Sequence, residues 1–213
     1  MWLSSRVAAD RNGPARLFTV GHSNLSFADF AAVLKRHEVE LVADVRGVPA
    51  SGRYPHFSQP RLEKRLRAEH LAYLFLGNCL GAAPDGSGAT EQVAVADYAV
   101  RRASYGFQAG LERLLEETAR RPVVVMCAEE DPLRCHRFLM LCPELTRLGI
   151  APLHIRKEGQ IETQEAAEDR LLECTGFGAL ARATLFPQAR AEALAEAYRL
   201  QAEREAFRAR ARL

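Results

Sequence analysis

The chain has 213 residues, 48% of them hydrophobic, and 29 Lys and Arg against 27 Asp and Glu leave a formal charge of +2. That is apolar material for one core of ordinary size, with no bulk field toward nucleic acid or a membrane surface. No run approaches the roughly 20 apolar residues of a membrane span, and the first residues lack the apolar centre of an export signal.

Residues 1–16 read as a polar lead-in containing the breaker Gly13-Pro14. Leu17–Val20 is a first strand, stopping at Gly21-His22-Ser23-Asn24. Ser26 caps a helix to His37, and Leu41–Val45 is a second strand, so the two strands are expected parallel with a right-handed crossover. Val48 to Gln59 is a loop rich in Pro, Gly and hydrogen-bonding side chains, long for a plain connection. A charged helix from Pro60 to His70, a short strand Tyr73–Leu76 and a flexible stretch Gly77–Ala89 follow. From Glu91 to Arg121 the pattern is helical, with a split near Gly106 or Gly110.

The most informative stretch is Pro122–Leu145. Val123–Met126 is a β-branched run typical of a buried parallel strand. The loop Cys127–Asp131 leads to a helix expected to start at Pro132, with Asp131 as N-cap. Gly149 ends it, Ile150–Ile155 is a further strand and Gln164–Glu173 a further helix. From about Pro187 the chain is rich in Ala, Glu and Arg, an arm helix by propensity. Five cysteines at irregular spacings read as free thiols in a reducing cytoplasm.

Alternating strands and helices imply an α/β fold. The expected form is an open, mostly parallel sheet with helices on both faces, over residues 17–175, with residues 176–213 as a C-terminal helical extension. Ligands bind such sheets at the carboxyl ends of the strands. The first and fourth strands are expected as neighbours, which brings His22-Ser23 beside Cys127–Glu129. On that rim His22, Asp44 and Glu129 are candidates for proton transfer or nucleophilic work. Ser23, Arg46, Ser51, Arg53, His136 and Arg137 are candidates for holding an anion.

Two other chemistries would draw on the same stretch. Six residues separate Cys127 from Arg134, where cysteine phosphatases have five, and Glu129, Glu130 and Asp131 in the loop repel a thiolate and a phosphate alike. A zinc site of Cys135-His136 with Cys127 or His22 lacks the paired C-x-x-C spacing, and adjacent residues point about 100° apart on a helix. No metal ligand is therefore assigned and no cofactor is required.

TVGHSNLSFADF, LVADVRGVPASGRYPHFSQPRLEKRL, LFLGNCLGAAP and VVVMCAEEDPLRCHRFLM, in this order, resemble the domain-of-unknown-function 488 family. Its pattern is G-H-S, D-V-R, P-x-S and a Phe, L-G-x-x-L-G, and C-x-E-x-x-x-x-x-C-H-R. Ala82 stands where members often have a second Gly. The resemblance implies a bacterial, Rossmann-like α/β fold and no established reaction. The expectation is a cytoplasmic protein with a small anionic ligand, phosphorylated or a nucleotide, and hydrolase or transferase chemistry. Alternatives are a nucleic-acid accessory protein and a metal or redox protein centred on Cys127, Cys135 and His136. No membrane partner is expected, and the C-terminal helix is a candidate homodimer contact.

Overall fold

The computed structural model describes residues 16–82, 98–180 and 187–210. The lead-in of residues 1–15 and the stretches 83–97 and 181–186 lie outside them. Six strands among the described residues form one sheet: β1 (Leu17–Gly21), β2 (Leu41–Asp44), β3 (Ala72–Phe75), β4 (Val123–Cys127), β5 (Leu153–Ile155) and β6 (Ile161–Thr163). Their order is β3-β2-β4-β1-β5-β6, and every pair is parallel except β5–β6. The first and fourth strands are neighbours as expected, with Leu17 opposite Val123 and Gly21 opposite Cys127.

β1, β2 and β4 are apolar almost throughout because both faces are covered. Phe18, Val20, Val42, Val124 and Met126 face α1 (Phe27–Arg36) and α2 (Gln59–Ala68). Leu17, Leu41, Ala43, Val123 and Val125 face α3 (Gly77–Leu80) and α5 (Tyr105–Thr118). α1 begins as its sequence demands: the Ser26 hydroxyl accepts from the Asp29 amide at 3.1 Å, and Phe30 and Leu34 are fully buried. A third cluster joins Leu133, Phe138, Leu139 and Cys142 to α7 (Gln164–Thr175) and α8 (Pro187–Arg210).

The helical stretch before β4 divides near Gly106 as expected, at Ser104, which caps α5 through the Phe107 amide; α4 (Tyr98–Ala103) precedes it. Other boundaries differ from expectation. The first part of the stretch after Phe75 is not loop but α3. β6, an antiparallel edge strand of three residues, is too short to show in a hydrophobic pattern.

The largest correction concerns the segment after β4. A continuous helix from Pro132 does not form. Asp131 does cap, its carboxylate accepting from the Leu133 amide at 3.2 Å, but only one 3-10 turn follows, Pro132–Arg134. Cys135 is extended, at φ −133° and ψ 140°. A π-helical turn, Arg137–Leu141, comes next and runs into α6 (Cys142–Arg147), with Pro143 in its first turn. The Cys142 thiol donates to the Arg137 carbonyl at 3.1 Å, across the widened turn. Wide turns of this kind concentrate at functional sites.

A candidate site at the ends of the central strands

The rim is built by backbone contact between chain-distant segments. Beyond the strands proper, the His22 amide donates to the Cys127 carbonyl at 2.9 Å and the Ser23 amide to the Ala128 carbonyl at 2.8 Å. Gly21 has no room for a side chain, since a Cβ there would overlap the Glu129 carbonyl oxygen. Gly77 is under the same constraint against the Arg46 carbonyl oxygen. These two glycines let the Glu129 loop and the end of β2 settle against their neighbours.

Asp44 and Arg46 lie side by side and are buried. Asp44 Oδ1 accepts from the Arg46 amide and Nε, at 3.1 and 2.9 Å. Its Oδ2 accepts from Arg46 Nη2 at 2.6 Å and from the Tyr73 hydroxyl at 2.9 Å. Both oxygens are therefore occupied, so Asp44 holds Arg46 and has no edge left for a substrate proton. Arg46 Nη2 also donates to the Phe57 carbonyl, while Nη1 has only a 3.4 Å contact with His22 Nε2.

His22 stacks on Phe57, ring centroids 4.2 Å apart. Burial first, then the Arg46 charge, push its pKa down to about 4, so the imidazole is neutral near pH 7. Ser23 is half-buried in a left-handed conformation, φ 47°. Ser51 shapes its own loop by accepting from the Tyr54 amide at 3.0 Å, and Arg53 stands exposed beside the Tyr54 ring. Ser51 is thus engaged by its own turn, and most of the Arg46 donors are engaged by Asp44 and the Phe57 carbonyl.

Arg134 does not lie behind the Cys127 loop; it is exposed and reaches Glu205 at 3.5 Å. Arg137 takes that place. It is buried, and its Nη1 and Nη2 donate to the carbonyls of Glu129 and Glu130 at 2.5 and 2.8 Å. Its Nε is buried with no hydrogen-bond partner among the described residues. Arg137 pairs with Glu129 through the backbone, leaving that carboxylate unclaimed.

The neighbouring carboxylates are claimed. Glu130 is gripped by Arg156 at 2.9 Å and Asp131 by Arg170 at 2.8 Å, and Glu162 joins both arginines in one ionic network. Glu129 instead accepts from the Cys127 thiol at 3.3 Å. Burial, followed by the Cys135 charge, pushes its pKa up to about 7.

The extended Cys135 overturns the expectation that Cys135 and His136 diverge. Their side chains and that of Cys127 face one another, with the ligating atoms all within 4.8 Å. Cys127 Sγ and Cys135 Sγ stand 3.7 and 3.9 Å from His136 Nδ1, and His136 Nε2 lies 3.0 Å from the Val45 carbonyl. Burial raises Cys135, but the Cys127 hydrogen bond and the Arg137 and His136 charges outweigh it and hold the thiol well down. Cys127 is held up, first by that hydrogen bond and then by burial. The missed signal was local: Asp131-Pro132 with Cys135 three residues on fits one 3-10 turn and a stop as well as it fits a helix start.

Residues 26–141, more than half of the chain, match the family model described as Domain of unknown function DUF488. The chain belongs to the DUF488 family. The match covers α1 to the π-helical turn, and so holds Arg46, Glu129 and the Cys135-His136-Arg137 run. No curated protein and no solved structure matches this DUF488 chain. Among its described residues no helix is long and apolar enough to cross a membrane.

Proposed function

We propose that this DUF488 protein binds a small anionic molecule, phosphorylated or a nucleotide, at the rim of β1, β2 and β4. It acts there as a hydrolase or transferase, with Glu129 moving the proton. The observation that carries the reading is a pair of unsated buried cations. Among the described residues Arg137 Nε has no hydrogen-bond partner within normal geometry, its charge facing the Cys135 sulfur, and Arg46 Nη1 has only the long His22 contact. A buried donor without a partner is costly and is supplied by a ligand oxygen where one binds. Arg53, exposed on the adjoining loop, adds an outer cation. Glu129 is the rim carboxylate left without an arginine, which suits it to general acid–base work.

Thermal denaturation against nucleotides, sugar phosphates and inorganic phosphate tests this. At least one anion class is expected to raise the melting temperature, and Glu129→Gln to keep that shift while losing turnover of the stabilising compound. If no anion stabilises the fold, the reading fails.

A nucleic-acid reading draws less support: among the described residues of the tail, Arg190 pairs with Asp169, Arg199 with Glu196 and Glu203, and Arg208 with Glu205.

A further inference from the structure

We infer that Cys127, Cys135 and His136 form a binding site for one thiophilic divalent ion of the zinc class, with a fourth position open to an exogenous ligand beside Glu129. The inference goes beyond the anion reading and stands without it.

Distance is the first argument. Bonds of about 2.3 Å to sulfur and about 2.05 Å to imidazole nitrogen set a sulfur–nitrogen edge of about 3.6 Å in a tetrahedron. The two edges here are 3.7 and 3.9 Å. Closing the set around an ion needs movements of a few tenths of an ångström. The sulfur–sulfur separation falls under the same 4.8 Å bound.

The second argument is the imidazole. His136 Nε2 sits 3.0 Å from the Val45 carbonyl, an acceptor only, so Nε2 carries the proton and donates. Nδ1 is then the nitrogen that faces the two sulfurs, and it offers its lone pair to an ion by giving up any proton it carries. A ligating histidine is oriented in this way, by a backbone carbonyl on its other nitrogen.

Third is the backbone. An unbroken helix would have carried Cys135 and His136 to different faces. The extended residue between a 3-10 turn and a π-helical turn turns both inward. That irregularity costs hydrogen bonds a plain helix would keep, and the convergence of three ligands is what it produces.

Two thiolates and one imidazole select a borderline-soft ion over magnesium or calcium. On entry of the ion two protons leave to solvent, one from Cys127 and one from the Cys135–His136 pair, and the two thiolates cancel its charge. Glu129 lies outside the three-ligand set but touches the Cys127 sulfur at 3.3 Å. Three protein ligands leave the fourth position of a tetrahedral ion to an exogenous group, the arrangement of catalytic rather than structural zinc.

The test uses the full chain, stripped with a chelator under reducing conditions and titrated with cobalt(II) and with zinc(II). We expect one ion per chain, and cobalt spectra with thiolate charge-transfer and tetrahedral ligand-field bands. Zinc is expected to protect Cys127 and Cys135 from alkylation while Cys174, which is exposed, reacts. Cys127→Ser and Cys135→Ser should each weaken zinc at least 100-fold, and His136→Gln at least tenfold, with unchanged far-ultraviolet circular dichroism. His154→Gln alters a buried histidine outside the set. It should bind zinc as the parent does, which guards against disturbed packing as the explanation. Absence of the cobalt bands, or one-to-one binding that survives Cys127→Ser with Cys135→Ser, overturns the site. Either result leaves the anion shifts untouched, and a silent anion panel leaves the metal titration untouched, so the two readings fail separately.

Discussion

Arg46 and Arg137 show what a sequence yields at the residue scale and what it withholds. Alternation along a strand places Asp44 and Arg46 on one side, so their pairing is legible from two letters. The number of donors each arginine has left is not, because it depends on carbonyls supplied by Phe57, Glu129 and Glu130 from other segments. The Asp44–Arg46 pair gives a sharp prediction. Asp44→Asn leaves a guanidinium buried without its counter-charge, which costs about 3–5 kcal/mol of stability. Tyr73→Phe removes one hydrogen bond to the same carboxylate and costs about 1 kcal/mol. Urea unfolding of the two variants should separate them by that margin; equal losses would mean that Asp44 does not carry the Arg46 charge.

Among the elements, the strands were readable because burial on both faces writes them as short β-branched runs. The segment after β4 was not. Its apolar residues Leu133, Phe138, Leu139 and Leu141 satisfy a helical period, and they are buried as a helix face would be. Periodicity records which side chains are inside and is silent on whether the backbone between them is α, 3-10, extended or π. That silence hid the Cys135-His136 convergence.

A second polar chain ties β5 to the helices and has a measurable pH signature. Thr19 Oγ1 lies 2.8 Å from His154 Nδ1, and His154 Nε2 lies 3.0 Å from Gln164 Oε1. Gln164 Nε2 donates to Glu168 and to the Tyr198 hydroxyl of α8. Burial, then the Arg137 charge, push the His154 pKa down to about 4 against an ordinary value of 6.5. Between those two values the unfolded chain binds a proton that the fold refuses, so stability rises with pH across that window. The contribution is full above pH 6.5 and is lost as pH falls toward 4, as much as about 3 kcal/mol. His22 pulls in the same direction. His154→Gln should flatten part of the slope of unfolding free energy between about pH 6.5 and 4.5. An unchanged slope would show that His154 is not held neutral.

For the whole molecule, α8 is where pattern and packing part company. Its large apolar residues are thinly spaced, which reads as an arm docked on the body or on a second subunit without saying which. The residues it buries are small: Ala193, Ala197 and Ala202, with Gln201. Alanine carries the helical period here, and its small transfer free energy makes that stripe faint in any hydropathy reading. Small residues also let α8 approach α7 and the 3-10 turn closely, and Gln201 Nε2 donates to the Leu133 carbonyl at 3.0 Å. The helix thus lies over Leu133, Phe138 and Leu139, on either side of Cys135 and His136 in the chain. Ala197 is fully buried, so Ala197→Phe has no space to enter and should cost about 1–3 kcal/mol by lifting the helix. Arg199→Ala, whose pairs with Glu196 and Glu203 face solvent, should leave the unfolding midpoint essentially where it is. Amide exchange gives the discriminating measurement. If α8 braces the turn that carries the site, Ala197→Phe speeds exchange over residues 133–141 as well as along α8 itself, and Arg199→Ala does neither. Faster exchange confined to α8 would show that the turn stands without its cover.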